Sequence, residues 1–452
     1  MIHDFCVVYH REKHGVEWKV GTPLVQQGCE AIASGRRASE DVLELYHRRF
    51  PQTAFLDTCF AAWDREARVL GCARDPSGIR NLFVRETPES IAFSTRIASL
   101  APRQFDPEGL SGFLAGTPSP ESTCFLGIRA VPRDVAIFVR DGELRILERA
   151  AFERQTAERL QAILEEAVRA RRPDGPFACG LSGGIDSALL LALAGRQVRP
   201  YTLAPSKSSY SEVDAARATA RHLDHDPRLV PIDDRSLVAA LPECVAAVEA
   251  PIYNLHAVSR LLLARAVRDD GLNVLVGGEG ADELFGESIL PQPDLGLDPV
   301  VRDLFRLPTL ARPVMESAFP ILLLRMAEAV CSAEGIELRL PFLDPALEGI
   351  SRSLTIEQRR DKRLLRELAA SMLNDEIAAR PKRPMLAPPV DLFSQYLDDD
   401  AIERCGVFKP KEVHELYARF RKSPNNTALD RALMRIVTTI MLYDRLIAPC
   451  AG

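Results

Sequence analysis

The run Leu181-Ser182-Gly183-Gly184-Ile185-Asp186-Ser187 carries the residue types needed to hold a phosphate. It follows a short apolar segment, Phe177-Ala178-Cys179, and precedes an apolar helical run over residues 188–194. Strand, glycine-rich turn and helix together cradle an anion. Gly183 and Gly184 let the backbone approach closely. The helix N-terminus aims free N–H groups and a positive dipole end at the same point. Ser182 and Ser187 add hydroxyl donors. Asp186 is out of place beside a phosphate unless a divalent cation lies between the two charges. A Walker loop would end on Lys, and this run does not. A second run, Gly277-Gly278-Glu279-Gly280-Ala281-Asp282-Glu283-Leu284-Phe285-Gly286, leaves the strand-like residues 273–276. Glycines interleaved with carboxylates make another nucleotide-facing turn at the carboxyl edge of a parallel sheet. Asp282 is placed to share the cation with Asp186. Taken alone, the same run also fits a solvated acidic turn.

Both turns need a parallel sheet beneath them. From residue 177 onward the pattern alternates strand and helix: strands at 199–204, 228–232 and 273–276, helices at 211–223 and 257–269. That is the pattern of a doubly wound parallel α/β fold. Residues 1–150 differ. Short segments at 5–9, 55–63, 69–73, 82–84, 136–139 and 144–147 alternate with turns such as Asp75-Pro76-Ser77-Gly78 and Asp141-Gly142, so antiparallel strands are expected, with one helix near 40–50. A helix over 152–171 ends at Arg172-Pro173-Asp174-Gly175-Pro176. The remainder is mostly helical, closing on an amphipathic stretch at 430–447. The Pro-rich segment 288–320 reads as a partly mobile loop.

A chain of 452 residues suggests two or three domains. The formal net charge of −6 gives no general attraction for nucleic acid or an anionic membrane. Ten cysteines without a C-x-x-C pair read as reduced packing cysteines of a cytoplasmic protein. Neither a signal sequence nor a bilayer-spanning run is expected; residues 252–267 are interrupted by polar groups. The histidines at 3, 10, 14, 47, 222, 225 and 256 make no metal-ligand spacing.

The first run resembles the S-G-G-x-D-S pyrophosphate loop of the N-type ATP pyrophosphatases, which cleave ATP to AMP and pyrophosphate. The two runs together resemble the synthetase domain of the asparagine synthetase family, whose G-E-G-A-D-E-L-F-G element the second closely matches. Further similar elements follow in order: Tyr201-Thr202-Leu203-Ala204, Ser211-Glu212, Ala215-Ala216-Arg217, Glu337-Leu338-Arg339-Leu340-Pro341-Phe342-Leu343-Asp344, Lys362 to Arg366, and Arg380-Pro381-Lys382. Residues 60–64, 73–83 and 93–94 resemble the family's class II glutaminase domain, a sandwich of antiparallel sheets. The resemblance therefore implies a two-domain α/β protein. Residues 1–150 would form a degenerate glutaminase-like β-sandwich, and residues 151–452 a doubly wound parallel ATP-pyrophosphatase domain with extra helices.

The resemblance also implies ATP and Mg2+ as cofactors. Leu181, Ser182, Gly183, Gly184, Asp186 and Ser187 would bind the nucleotide's pyrophosphate end, with Leu203 and Gly278 near the adenosine. Asp186 and Asp282 would hold magnesium. Lys382 would be a mobile cation stabilising adenylation, and Glu279 would lie near the attacking amine. The basic segment Arg359, Arg360, Lys362, Arg363 and Arg366 reads mostly as a solvated face, with Lys362 and Arg366 structural.

Four departures from the family stand out. Its nucleophile is a Cys at position 1 after Met removal, but position 2 is Ile here and Cys6 lies too far in. Its glutamine-binding N-G-E has no equivalent at 20–60. Its G-G-Y is Gly286-Glu287-Ser288, and its D-R-M-x-M-A is Glu328 to Ala333. The last two lie near where the family holds its acceptor, which suggests a changed substrate.

The function expected is an AMP-forming amide ligase acting on a small-molecule or peptide carboxylate and closing an intramolecular amide, as in lactam or peptide macrolactam formation. The alternative is an amidotransferase of asparagine-synthetase type fed with free or partner-supplied ammonia. A non-catalytic subunit is the third reading. A separate ammonia source or a carrier protein is the partner left open, and the oligomeric state is not predicted.

Overall fold

A computed structural model describes residues 4–26, 28–35, 57–116, 118–133, 135–148, 154–206, 212–286, 323–381, 394–424 and 426–450. The expected helix at 40–50, the Pro-rich segment 288–320 and Lys382 lie outside the described residues.

The first part is a pair of antiparallel sheets. One runs β2-β1-β8-β7-β9 and the other β11-β10-β6-β5-β4-β3. The first sheet comprises β1 (Cys6–His10), β2 (Gly15–Val20), β7 (Phe83–Glu86), β8 (Ser90–Ser94) and β9 (Ile128–Ala130). The second comprises β3 (Leu24–Gln26), β4 (Cys29–Gly35), β5 (Thr58–Asp64), β6 (Val69–Ala73), β10 (Val135–Arg140) and β11 (Glu143–Glu148). Period-two alternation decides the packing. Val7 and Tyr9 of β1 join Phe93, Trp63, Ile137 and Val139 in the core between the sheets. Cys6 and Val8 point the other way, into a core shared with helix α1 (Pro107–Ala115) and with helices of the second part. Because β1 is covered on both faces, it reads as a continuous apolar run. Asp141 and Gly142, both at positive φ, join β10 to β11 in a two-residue hairpin.

The second part is built on a five-stranded parallel sheet in the order β14-β13-β12-β15-β16. Helix α2 (Leu160–Arg171) leads into β12 (Phe177–Gly180), and α3 (Ile185–Ala194) leads on to β13 (Val198–Pro205). Helix α4 (Val213–His222), β14 (Arg228–Ile232), α5 (Asp234–Val248), α6 (His256–Asp269) and β15 (Val274–Val276) follow. After α7 (Ala281–Phe285), the described chain resumes with α8 (Arg325–Ala333), β16 (Glu337–Arg339), α9 (Pro345–Ser351) and α10 (Arg363–Met372). Phe177, Ala178 and Cys179 of β12 are buried, as is all of β15. Leu189, Leu190 and Leu191 of α3 are buried against them, each contributing about 1.5–3 kcal/mol. From β12 the chain builds outward first to one side (β13, β14), then to the other (β15, β16). Ligand-binding crevices of open α/β sheets form at such a switch point. The expected amphipathic stretch at 430–447 is the helix α11 (Thr427–Leu442) with a π-turn after it. Among the described residues, no helix is long and apolar enough to cross a membrane.

The sandwich docks on the parallel unit through buried charge. Arg80 is 1% exposed and donates to the carbonyls of Asp57 and Leu338, with Glu328 at 3.4 Å. Asn81 donates to Glu328 at 2.7 Å. Arg171 pairs with Asp57 and Asp344, each at 2.8 Å. Arg339 forks onto Glu337. Arg325 is also buried, with its guanidinium over the rings of Phe83 and Phe113 at 4.5 and 5.8 Å. Aromatic faces take the place of hydrogen bonds for that cation.

Glu328 gives this interface a pH dependence. Burial raises its carboxyl to about 7, against the opposing pull of Arg80 and Arg74 and with Asp4 adding to the rise. Unfolded, it would ionise near 4.5. Between those values the folded state holds a proton that the unfolded state releases, so stability falls as pH rises through the window. The full effect is about 3 kcal/mol. Glu328→Gln is expected to flatten the decline between pH 5 and pH 8, which thermal unfolding over that range would read. An unchanged slope would refute this account.

Candidate functional site

The two glycine-rich turns leave adjacent strands, β12 and β15, on either side of the switch point. The first turn is closed on itself by its serines. The Ser182 N–H donates to Ser187 Oγ at 3.1 Å, and the Gly184 N–H donates to Ser182 Oγ at 3.2 Å. Thr202 of β13 donates to the Leu181 carbonyl at 2.9 Å and fixes where the turn begins. Glycine is required at 183 for space, since a Cβ there would stand 2.9 Å from that of Ala215 in α4. In the second turn Gly280 has φ of +96° and packs under Leu343. A Cβ on Gly278 would touch Asp186 at 3.4 Å, so the two turns meet there. Between them lies a cavity of about 320 Å3, lined by Leu181, Ser182, Asp186, Ser187, Leu203, Gly278, Glu279 and Asp282, among others. That size is ordinary for a small-molecule site.

Asp186 stands in the first turn of α3 and Asp282 in the first turn of α7. Both reach the ammonium of Lys362, at 2.5 and 2.8 Å. Burial disfavours that ammonium charge, but Asp186 and Asp282 outweigh it and hold the Lys362 pKa above the usual lysine value. Lys362 is 9% exposed, and with Asp361 it sits in the left-handed region, at φ of 54° and 49°. Non-glycine residues take this conformation at a cost that surrounding contacts must hold in place. The two carboxylates thus already converge on one positive charge. Hard carboxylate oxygens suit magnesium, which commonly takes one or two of them and completes its shell with phosphate oxygens and water.

Glu279 is not open to the cavity on both sides. Oε1 pairs with Arg260 of α6. Oε2 is buried without a hydrogen-bond partner among the described residues, lying where a Cβ on Gly277 would be. Arg380, two residues before Lys382, donates to the Ala215 carbonyl at 2.9 Å and to Thr219 at 2.7 Å. The chain leading to Lys382 is therefore anchored on the helix that abuts Gly183.

Two expectations need correction. In the basic segment Arg360 and Arg363 are exposed as expected, whereas Arg359 is buried and donates to the carbonyl of Leu284, and Lys362 enters the site instead of being merely structural. Arg366 is structural as expected, donating to the Ala378 and Arg380 carbonyls. Glu328 does not line the cavity but faces the sandwich, bonded to Arg80 and Asn81. Lys362 and Arg260 are the two site residues the sequence did not single out. For Lys362 there was a signal, a lone lysine among arginines in a family motif. Arg260 had none.

Residues 159–304 and 314–444, more than half of the chain, match the family model of asparagine synthase. A putative glutamine-hydrolyzing asparagine synthetase of Mycobacterium tuberculosis is 32% identical over 280 residues, covering 53% of this chain and 41% of that protein. The amidase chry2 of Gibberella zeae is 27% identical over 322 residues, covering 62% of this chain and 48% of that protein. The chain thus spans less than half the length of these relatives. Among solved structures, the NH3-dependent NAD synthetase from Campylobacter jejuni aligns with 59% of this chain and 93% of its own, at 14% identity and a TM-score of 0.26, too slight a likeness to add to the topology above. The family match spans both glycine-rich turns and the Lys362 segment between which the cavity forms, and the chain belongs to the asparagine synthase family.

Proposed function

We propose that this chain is an ATP-dependent, AMP-forming amide ligase. The observation that carries this reading is the convergence of Asp186, Asp282 and Lys362 between two glycine-rich turns, in a chain of the asparagine synthase family. The Ser182–Ser187 turn and the N-terminus of α3 would hold the pyrophosphate end of ATP, with Leu203 and Gly278 beside the adenosine. Mg2+ held by Asp186 and Asp282 would neutralise charge on the phosphates. Lys362 would exchange the two carboxylates for a phosphate oxygen as the nucleotide enters. The substrate carboxylate then attacks the α-phosphorus and pyrophosphate leaves. An amine attacks the acyl-adenylate carbonyl and AMP leaves. Glu279 would orient or deprotonate that amine, and Lys382 would stabilise the charge developing in both steps.

The finer reading is that the amine belongs to the substrate, so that a lactam or peptide macrolactam closes. Residues 1–150 would then be a glutaminase-like scaffold that makes no ammonia, and residues 151–452 the synthetase domain. Supporting this, the nine cysteines with described side chains are all buried, and burial raises the Cys6 thiol, the opposite of an activated nucleophile.

The test is release of AMP and pyrophosphate from Mg-ATP across carboxylic substrates, including β-amino acids and peptides, each alone, with ammonium and with glutamine. A dehydrated product without added amine is expected. A requirement for ammonium would favour the amidotransferase reading instead. Asp186→Ala is expected to abolish release, and a variant still making AMP at the parent rate would sink the mechanism.

A further inference from the structure

A second cavity, of about 410 Å3, opens where α5 and the end of α11 meet the short helix Asp399–Cys405. It shares no lining residue with the cavity between the glycine-rich turns, so the ligase chemistry neither uses it nor explains it. Both long helices are irregular at this level. Pro242 lies in the wall supplied by α5. Its ring crowds the carbonyl one turn earlier and brings no N–H. Asp444 and Arg445 in the other wall belong to the π-turn Tyr443–Ile447. Such turns are rare and frequently mark functional sites. Regular helices close on each other ridge into groove; here both are deformed beside the gap, and the gap stays open. Its floor is apolar, made by Val245, Ala246, Ala401, Ile440 and Met441. Water there finds few hydrogen-bond partners, so an aliphatic group displaces it at a gain. The rim is charged, and its charges are unevenly answered. Glu243 is held by Arg265, Asp398 accepts from the Ala401 N–H at 3.0 Å, and Asp444 pairs with Arg404 at 3.4 Å. Arg445 is exposed and has no such partner among the described residues, and neither has the Tyr396 hydroxyl on the same rim.

We propose that this cavity binds a medium-chain aliphatic carboxylate. The chain lies on the floor between α5 and α11, and the carboxylate meets the fork of Arg445, with Tyr396 as a further donor. The volume suits one small ligand. One unanswered cation matches one anionic charge. The three acidic residues of the rim would repel a phosphate or any polyanion, which sets the head group as a single carboxylate.

The test is calorimetric titration of the full chain with hexanoate, octanoate and decanoate, each below its micelle-forming concentration, and with decanol and decylamine. A single equivalent of carboxylate should bind, about tenfold more tightly for each added pair of methylenes. Decanol and decylamine should bind about fivefold more weakly than decanoate, the usual worth of one exposed charge pair. Arg445→Glu should weaken decanoate by about tenfold, leave decanol as it was and make decylamine the better of the two ions. Because Arg445 is exposed, this variant tests the head-group assignment without disturbing the core. Ala246→Phe, which fills the floor, should remove binding of every compound, with the fold checked by circular dichroism. Saturating Mg-ATP should leave decanoate bound, since the two cavities share no residue. Absence of binding, equal affinity across the chain lengths, an unchanged order of decanoate and decylamine in Arg445→Glu, or displacement by Mg-ATP would each overturn the proposal. Uptake of several equivalents that a folded Ala246→Phe retains would be adsorption to the surface and would overturn it as well.

Discussion

Replacing Lys362 with methionine is expected to lower AMP formation by about two to three orders of magnitude, the usual consequence of losing one preorganised positive group at a site of developing charge. Methionine keeps an unbranched stem of similar length, so the change removes charge more than volume. It leaves Asp186 and Asp282 facing the same empty point without the cation that both now reach at 2.5 and 2.8 Å. Two like charges brought together in a partly buried place repel. The variant should therefore lose stability in metal-free buffer and regain it with Mg2+ alone, whereas the parent, with its own cation in place, should respond less. Single-turnover AMP release and thermal unfolding with and without Mg2+ would read the two effects. A variant within about tenfold of the parent rate would mean that Lys362 serves only to fix the left-handed turn at Asp361 and Lys362.

The site residues differ in how far sequence alone could place them. Ser182, Asp186 and Asp282 were legible because each lies within a turn of a strand end. There a short pattern of glycines and carboxylates determines both the backbone path and the direction in which the helix begins. Lys362 reaches the same point from 176 residues away. Within residues 359–366 the lone lysine is the one local sign, and it does not say that the ammonium turns toward Asp186 and Asp282; the two left-handed residues that turn it are neither glycine nor asparagine. Arg260 is further still from legibility. Its helix was expected almost to the residue, but a helical pattern says which face is apolar, not which polar residue at the face's edge meets a carboxylate in the turn after the next strand.

The fold shows the same division. Four of the five parallel strands, β12 to β15, were foreseen within a residue or two, because buried strands bounded by helical runs have few other readings; β16 (Glu337–Arg339) was seen only as part of a family motif. Helix α5 was not foreseen. Pro242 stands inside it, and an interior proline ordinarily ends a helix. Here Leu237, Leu241, Cys244, Val245 and Val248 are all buried, and at about 1.5–3 kcal/mol for a large side chain that burial outweighs the proline's cost of about 3 kcal/mol. Strands β2 and β3 escaped notice for the opposite reason: Val20 and Val25 are exposed, so the alternation that marks a half-buried strand is blurred. The segment 73–83 was read as a turn between strands and as a family resemblance. Its polar residues turn out to be the fastening, with Ser77 bonded to the Leu343 carbonyl, Arg80 to the Leu338 carbonyl and Asn81 to Glu328.

Arg171→Leu is expected to be the most damaging change to stability, costing about 3–5 kcal/mol. Arg171 and Asp57 are completely shielded from solvent, and Asp344 is partly buried. Burial alone would depress the guanidinium, but Asp57 and Asp344 raise its pKa above the usual arginine value, so the cation is matched to its site. Leucine fills part of the space, yet it leaves the buried Asp57 carboxylate without the cation paired to it, its lost hydration no longer offset. The double variant Arg171→Leu with Asp57→Asn should recover much of the loss, because the stranded charge, more than the missing attraction, is what the single variant suffers. Asp57 belongs to the chain entering β5, Arg171 ends α2 and Asp344 caps α9, so one guanidinium ties the sandwich to two elements of the parallel unit. If that tie couples them, the parent unfolds in one transition and Arg171→Leu in two, with the sandwich and the parallel sheet parting before either melts. A single transition displaced by less than about 1 kcal/mol would place the coupling elsewhere, in the Arg80 and Asn81 contacts that cross the same interface to Leu338 and Glu328.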